Sequence, residues 1–322
     1  MEKLKSLNKR TAPKSVAPEK VIQFGEGNFL RAFVDWIIWN MNQKTDFNGS
    51  VVIVEPLAQG MVDWLNGQDC LYHVNLQGLD EDKKPVNTLT RIDCVSRALN
   101  PYTQFQAYLS LAEQPEMRFV ISNTTEAGIA FDPDCKLDDQ PASSYPGKLV
   151  QLLYHRFQYF DGDPSKGLII MPCELIFLNG HVLKDCIEKY IEHWQLGEAF
   201  KKWFEESCVV CATLVDRIVP GFPRNEIKEI QQKISYKDNM VVQAENFHLW
   251  VIEGPKWIEK EFPADKAGLH VLFVPDEQPY HQRKVTLLNG PHTVLSPVAF
   301  LSGINIVRDA CKDEVVGKYI HK

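Results

Sequence analysis

Short, uninterrupted apolar runs alternate with segments of helical periodicity along the first two thirds of the chain. We predict buried strands at residues 20–24, 51–54, 118–122 and 167–171, because such runs are typical of the interior of a parallel sheet. Helices are predicted at 28–41, 102–111, 148–160, 182–194 and 198–204. Strands that alternate with helices in this way predict a doubly wound α/β sheet with right-handed connections.

The pattern changes in two places. Between residues 72 and 94, apolar and polar positions alternate on both sides of the polar segment 78–85, which predicts an antiparallel hairpin inserted in the α/β pattern. Further strands are predicted at 209–214, within 240–252 and at 270–274, and a surface loop at 131–146. From Pro279 onward only helical patterns remain. We therefore predict a first domain over 18–276 and the beginning of a mostly helical domain over 277–322, whose end lacks an evident helix cap and suggests an incomplete C-terminus.

Composition and charge exclude several classes of protein. Hydrophobic residues make up 44% and charged residues 24%, as in globular proteins, and no apolar run reaches the roughly 18 residues of a membrane span. The net charge of −7 argues against a nucleic-acid or anionic-membrane surface. The first 20 residues lack the apolar core of a signal peptide. The eight cysteines are then predicted to be reduced thiols of a cytoplasmic protein. The alternative, a zinc site at Cys208 and Cys211, lacks a second ligand pair at a suitable spacing.

A glycine-rich turn follows the first predicted strand and leads directly into a helix. Gly25 would permit the tight turn, and Gly27 would let the backbone approach a pyrophosphate at the start of the helix. The third glycine of the usual dinucleotide fingerprint is replaced by Leu30, so an ordinary strand-to-helix turn remains the alternative. The context favours a Rossmann-like cofactor site, and the predicted cofactor-binding residues of this turn are Ile22, Gln23, Phe24, Gly25, Glu26, Gly27, Asn28, Phe29, Leu30 and Arg31.

Two further strand ends belong to the predicted cofactor site. Glu55 ends the second strand, where a carboxylate can accept hydrogen bonds from the adenosine ribose and would repel a 2′-phosphate. It therefore favours NAD over NADP, although a solvated acid at a strand end is the simpler alternative. Asn123, Thr124 and Thr125 follow the strand at 118–122 and would face the same crevice, where they could hold the nicotinamide ribose or merely cap the next helix.

The segment from residue 283 to 292 carries the residues that could perform chemistry. On a helix, Lys284 and His292 share one face, and Asn289 lies beside it, although Gly290 and Pro291 are expected to break or kink the helix. A buried lysine with a lowered pKa can take the proton of an alcohol. An asparagine amide can stabilise the developing alkoxide, and a histidine can position substrate hydroxyls. A surface lysine and a capping asparagine fit the spacing equally well.

Taken together, these segments resemble the mannitol dehydrogenase family of polyol-specific long-chain dehydrogenases. The resemblance is carried by GEGNFLRAF (25–33), LVDRIVP (214–220) and KVTLLNGPH (284–292). Within the family, QFGEGNFLRAF, NTTEAGI, PCELI and LVDRIVPGFPR are most similar to the members that interconvert D-tagaturonate and D-altronate in hexuronate catabolism. The resemblance implies a metal-free enzyme that uses NAD and acts on a small sugar acid. It does not indicate an oligomeric state.

The resemblance also assigns roles to individual residues. It implies that Lys284 is the catalytic lysine, that Asn289 is its paired asparagine and that His292 lies beside the substrate. The family's second carbonyl-binding asparagine lies in a Cys-Asp-Asn segment that reads Cys-Glu-Leu at residues 173–175 here, so Asn179 is the candidate replacement. A fructuronate reductase or a mannitol 2-dehydrogenase remains the near alternative. A non-catalytic protein that binds NADH is the alternative from a different class, and Lys284 argues against it.

Overall fold

The computed structural model describes residues 4–80 and 82–320. They divide into two compact units, separated between Pro275 and Asp276, and each unit is described by itself.

The strands all lie in the first unit. In chain order they are β1 (Lys5–Ser6), β2 (Glu19–Phe24), β3 (Ser50–Val54), β4 (Tyr72–Leu79), β5 (Pro85–Ile92), β6 (Val95–Leu99), β7 (Phe119–Ser122), β8 (Ile169–Pro172), β9 (Val209–Val210), β10 (Ala212–Asp216), β11 (Tyr236–Lys237), β12 (Val242–Glu245), β13 (Leu249–Glu253) and β14 (Val271–Val274).

The helices of the first unit flank and connect these strands. They are α1 (Asn28–Ala32), α2 (Val34–Lys44), α3 (Val62–Gly67), α4 (Phe105–Leu109), α5 (Tyr145–Tyr159), α6 (Asn179–His193), α7 (Glu198–Ser207), α8 (Ile227–Ile234) and α9 (Ile258–Glu261), with 3₁₀ turns at Ser110–Glu113 and Pro164–Lys166.

A fully parallel sheet with the strand order β6-β3-β2-β7-β8-β9 forms the centre of the first unit. Successive residues of its strands point into two separate cores: Val21 and Ile53 pack on the side of α1 and α2, whereas Ile22 and Val52 pack on the side of α5 and α6. Both faces are thus covered, which is why these strands are continuously apolar in sequence. The predicted doubly wound sheet is confirmed, with β2 in its interior.

The predicted hairpin is also confirmed. β4 and β5 pair antiparallel from Tyr72 opposite Ile92 to Leu79 opposite Pro85, and β12 adds to β4 in parallel. A third sheet has the order β10-β13-β14.

The strand predicted at 209–214 is in fact two strands in different sheets. β9 ends the central sheet, and β10 enters the third sheet after a change of direction at Cys211. The backbone of α6 approaches the chain closely at this point, since a Cβ atom on Gly180 would lie only 2.2 Å from the carbonyl oxygen of Cys211. Glycine at position 180 permits this close approach.

The helix predicted at 28–41 is broken at Phe33. The carbonyl oxygen of Ala32 accepts a hydrogen bond from Arg217 Nη1 (2.6 Å), and Tyr72 Oη, which donates its one proton to Asp35 Oδ2 (2.6 Å), lies 3.2 Å from the carbonyl oxygen of Arg31. Side chains that insert into a helix in this way are a recognised cause of kinks. Both side chains come from distant parts of the chain, and the break separates a short α1 behind the glycine turn from the longer α2. The helix predicted from residue 102 likewise begins only at Phe105.

The described part of the second unit is helical, as predicted. It contains α10 (Gln278–Lys284), a π-helical turn (Val285–Asn289), α11 (Gly290–Leu301), α12 (Val307–Lys312) and α13 (Val316–Ile320), packed around a small core of Leu295, Ala299, Ala310 and Val316. Within residues 4–80 and 82–320, no helix is both long enough and apolar enough to cross a bilayer.

Candidate dinucleotide crevice and catalytic segment

The turn after β2 requires glycine at position 25. Gly25 has a φ of +126°, a conformation that other residues rarely adopt, and its N–H donates to the carbonyl oxygen of Val54. A Cβ atom on Gly25 would lie 3.0 Å from the carbonyl oxygen of Asn123 in the loop after β7. Gly25 therefore allows the ends of β2, β3 and β7 to meet at the carboxyl edge of the sheet, where the crevice of such folds lies.

Gly27 has a different role from Gly25. Its backbone is extended (φ −63°, ψ 166°) and it precedes α1. A Cβ atom on Gly27 would have no described heavy atom within 4 Å outside its chain neighbours, so the residue borders open space. An open approach to the backbone at the start of a helix is what a pyrophosphate requires.

We therefore expect Gly27→Ala to weaken NADH binding by at least about tenfold, which is about 1.4 kcal/mol. The added methyl group would occupy the space into which the pyrophosphate must move, and it would meet nothing in the protein itself. The melting temperature should stay unchanged. Gly67→Ala is the matched control, since Gly67 also borders open space and has an ordinary φ. Fluorescence titration with NADH measures the effect, and equal affinity of both variants would contradict it.

Glu55 offers an unused acceptor at the end of β3. Its side chain is 2% exposed, and its Oε2 accepts a hydrogen bond of 2.7 Å from Asn100 Nδ2. Its Oε1 makes no hydrogen bond of good geometry within the part of the chain that the structure describes, while the backbone N–H of Val62 lies near the carboxyl group and favours its charged form. Burial raises the pKa of Glu55, and the charge of Glu26 raises it further. A buried acceptor without a donor is unfavourable, and ribose hydroxyls would satisfy it, so the residue fits the predicted cofactor.

The loop after β7 is held by a residue that the sequence did not identify as part of the site. Glu174 is 2% exposed, and its Oε1 accepts hydrogen bonds from the backbone N–H (2.9 Å) and the hydroxyl (3.0 Å) of Thr124. Ser122 Oγ donates to its Oε2 (3.1 Å), and burial raises the pKa of the carboxyl group. The sequence places this glutamate just after a buried strand, and that position is the signal from which its role could have been found. Glu174 joins the loops after β7 and β8.

The predicted ribose-binding residues are therefore not equivalent. Asn123 donates from Nδ2 to the carbonyl oxygen of Cys173 (2.6 Å), and Thr124 is bound to Glu174, so both side chains have structural partners. Thr125 is exposed, with a φ of +81° that is a marked outlier for a β-branched residue. Strain of this kind concentrates at functional sites, and Thr125 is the member of the three that remains directed to solvent.

The remaining predicted residues of the glycine turn stabilise the turn from the protein interior. Arg31 is 2% exposed and donates to the carbonyl oxygens of Glu26 (3.0 Å) and Met240 (2.7 Å) and to Asn28 Oδ1 (2.8 Å). It thereby fixes the turn to the segment that precedes β12. Four predicted cofactor-binding residues are fully or nearly fully buried beneath the turn rather than open to the crevice: Ile22, Gln23, Phe24 and Leu30. Phe29 is partly buried and stacks on Phe33 at 5.0 Å.

Asn179 does not present its amide to a substrate. It is 1% exposed, and its Nδ2 lies within 2.9–3.1 Å of the carbonyl oxygens of Pro172, Glu174 and Thr213. Its Oδ1 accepts from the backbone N–H of Thr213 (2.9 Å). Both the donors and the acceptor of the amide are thus used by the backbone. The expectation that Asn179 binds substrate is corrected: it ties α6 to β8 and β10.

Lys284, Asn289 and His292 lie on one uninterrupted helical segment of the second unit, which runs from Gln278 to Leu301. The expected break at Gly290 and Pro291 is absent from this described segment. Residues 285–289 instead form a π-turn, in which the N–H of Gly290 donates to the carbonyl oxygen of Val285, five residues earlier.

The π-turn changes which side chains share a face. Positions five apart come together in a π-turn, so Asn289 takes the place over Lys284 that Leu288 would hold in an α-helix. Lys284 is half-buried, and Asn289 and His292 are exposed. His292 Nδ1 lies 2.8 Å from the carbonyl oxygen of Leu288, which can only accept, so Nδ1 carries the hydrogen and Nε2 is the acceptor of the neutral ring. Turns of this kind are frequent at functional sites.

The cysteines form no ligand set in the described chain. Cys208 Sγ accepts from the N–H of Leu168 (3.4 Å), while Cys211 is buried. Across residues 4–80 and 82–320, no three His, Cys, Asp or Glu side chains are grouped as for a metal ion.

Comparisons with known proteins give a consistent picture. The family model described as the mannitol dehydrogenase Rossmann domain matches residues 19–266, and the mannitol dehydrogenase C-terminal domain matches 276–322. An altronate oxidoreductase of Phocaeicola vulgatus is 75% identical over 319 residues, 99% of this chain and 66% of that protein. One of Bacillus subtilis is 48% identical over 305 residues, 95% of this chain and 63% of that protein. The chain thus spans a little under two thirds of the length of these relatives.

Two solved structures share the fold. A D-sorbitol dehydrogenase in substrate-free form superposes with a TM-score of 0.79 at 23% identity, over 96% of this chain and 65% of that one. A Pseudomonas fluorescens mannitol 2-dehydrogenase, solved with NAD and D-mannitol, superposes with a TM-score of 0.74 at 21% identity, over 98% of this chain and 67% of that one.

Proposed function

Since the chain belongs to the mannitol dehydrogenase family, we propose that it is part of an NAD-dependent oxidoreductase that interconverts D-tagaturonate and D-altronate. The observation that carries this proposal is the identity of 46–75% with altronate oxidoreductases over almost the whole chain. The similarity covers both the crevice and the segment with Lys284. We propose that the enzyme acts in the cytoplasm, in hexuronate catabolism.

The residues of the first unit support binding of NAD. The open space beside Gly27 accommodates the pyrophosphate, and the unused Oε1 of Glu55 accepts from the adenosine ribose. When bound, NAD⁺ would supply the hydride acceptor for oxidation of the carbinol carbon. Thr125 and the loop fixed by Glu174 border the same carboxyl edge of the sheet.

Three residues of the second unit transfer the proton and bind the substrate oxygens. In oxidation, the neutral amine of Lys284 takes the hydroxyl proton, and in reduction its ammonium returns that proton to the carbonyl oxygen. The amide of Asn289, placed over Lys284 by the π-turn, donates a hydrogen bond to the developing alkoxide. His292, with its hydrogen on Nδ1, accepts a hydrogen bond from a substrate hydroxyl at Nε2.

The proposal is tested by following NADH consumption by the complete gene product with D-tagaturonate, D-fructuronate and D-fructose. We expect kcat/KM for tagaturonate to exceed those for the other two substrates by at least about tenfold. A higher value for fructuronate or fructose would assign the chain to fructuronate reductase or mannitol 2-dehydrogenase instead. Binding of NADH without turnover of any of the three would support the non-catalytic alternative.

A further inference from the structure

Two carboxylate side chains meet beside Gly60, near the carboxyl ends of β2 and β3. Glu26 stands between the two glycines of the turn, and Glu55 ends β3. A Cβ atom built on Gly60 would lie 2.4 Å from Glu26 Oε1 and 1.8 Å from Glu55 Oε1. Both oxygens therefore occupy the place that a side chain at position 60 would need, and the two carboxyl groups are packed together against this glycine.

The two carboxyl groups are partly withdrawn from water and lie close enough to influence each other. Glu55 is 2% exposed and Glu26 is half-buried. Burial raises the pKa of Glu26, although the backbone N–H groups of Glu26 and Met61 and the charge of Arg31 act in the opposite direction. Burial, and then the charge of Glu26, raise the pKa of Glu55. Such a pair favours a ligand that brings hydroxyl donors and disfavours one that brings more negative charge.

We propose that Glu26 is a second residue that determines specificity for the dinucleotide, acting together with Glu55. This inference rests on the proposed function. The vicinal hydroxyls of an adenosine ribose supply two donors, and the two Oε1 atoms around Gly60 supply two acceptors. A ribose 2′-phosphate in the same place would meet two carboxylates rather than the single acid that usually follows the second strand of this fold. Glu26 therefore strengthens the preference for NAD(H) from the glycine turn itself.

The arrangement also explains the glycine at position 60. Its backbone lies in an ordinary conformation, so no strain requires glycine there. Any side chain would displace the two carboxyl groups from the space that they share. Gly60→Ala thus tests the location of the ribose while leaving both acids in the chain.

The experiment compares the affinities for NADH and NADPH in the unmutated protein, Glu26→Gln, Glu55→Gln and Gly60→Ala, by fluorescence titration. Glu26→Gln should shift the affinity ratio toward NADPH by about tenfold or more, because it removes one like charge beside the phosphate. Glu55→Gln should shift it in the same direction, and Gly60→Ala should weaken NADH binding. Glu205→Gln, an exposed glutamate of α7, is the matched control and should leave the ratio unchanged.

The possible failures are distinguishable. If Glu26→Gln keeps the ratio of the unmutated protein, or if Gly60→Ala keeps its NADH affinity, Glu26 is not a specificity residue, whereas the proposed activity stands. If the unmutated protein binds neither dinucleotide, the proposed function itself fails. A purely structural role of Glu26 would lower the melting temperature and both affinities together, without a change in their ratio, and would equally overturn the inference.

Discussion

Lys284→Ala is expected to reduce turnover by several orders of magnitude while leaving NADH affinity nearly unchanged. In the proposed reaction, Lys284 is the group that exchanges a proton with the substrate oxygen, and alanine can carry none. In the proposed function, residues of the first unit bind NADH, and Lys284 belongs to the second unit. The lysine is half-buried on a helix surface, and alanine favours helix, so loss of the fold is not expected.

The measurement is kcat with tagaturonate and NADH affinity on the same preparation of the complete gene product. Lys312→Ala replaces an exposed lysine of the same unit and should retain full activity. Asn289→Ala should lower kcat less, by about 10²–10³-fold, if its amide acts like an oxyanion-hole donor. Retention of most of the turnover in Lys284→Ala would show that the lysine is a surface residue and that the proton moves by another route.

The second large effect concerns Asp35, a buried carboxyl group in the first turn of α2. It is fully buried, and Tyr72 Oη donates to its Oδ2 at 2.6 Å. Its Oδ1 and Gln23 Oε1 make no hydrogen bond of good geometry within the described chain. Burial raises the pKa of Asp35 to about 7, against the opposing effects of Tyr72, Arg31 and the Gln23 side chain. A proton on Asp35 would bring a donor into a cluster that holds two unsatisfied acceptors.

The sign of the pH effect follows from the raised pKa. The folded protein holds this proton up to about pH 7, whereas the unfolded chain releases it near the ordinary aspartate value of 3.8. Between these values the free energy of unfolding therefore falls as the pH rises, by about 4 kcal/mol for this group alone. The titratable groups that also face Asp35 are Arg31, Tyr72, Cys70 and Cys94.

Asp35→Asn isolates this contribution, because asparagine stays neutral and supplies N–H donors. The free energies of unfolding of Asp35→Asn and the unmutated protein should be nearly equal at about pH 4. At pH 8 that of Asp35→Asn should be higher by about 4 kcal/mol. Denaturant unfolding of both proteins across this range gives the difference. Asp185→Asn, at an exposed aspartate of α6, serves as the control and should show little change. A difference that does not depend on pH would mean that Asp35 is charged in the folded protein throughout.

The parts of the fold that local sequence determines were predicted correctly. β2, β3, β7 and β8 are buried on both faces, so their apolar runs identify them without any knowledge of their partners. The family was also identified correctly from its motifs, because the glycine turn and the segment 284–292 are continuous in sequence.

The features that sequence reasoning missed depend on residues distant along the chain. The side chains of Tyr72 and Arg217 insert at the break beside Phe33, and the strand divides at Cys211, where α6 approaches closely. The same limit applies to the site. The resemblance to the family made Asn179 a candidate substrate ligand, but three carbonyl groups from separate segments occupy its amide. Such contacts arise only once the chain has folded.

Because of the π-turn at Val285–Asn289, the relative placement of Lys284 and Asn289 depends on the number of residues between them. It holds one residue more than an α-helical turn, and each residue rotates an α-helix by about 100°. If the same residues formed a regular α-helix, Asn289 would be rotated by about 140° from Lys284, and the amide and the amine would lie on different sides of the helix. Removal of one residue between Lys284 and Asn289 would make a π-turn unnecessary, because the asparagine would then follow the lysine by four residues and share its face. Related sequences should therefore be aligned here by helical phase, because a spacing of five with a π-turn and a spacing of four without one bring the same two side chains together.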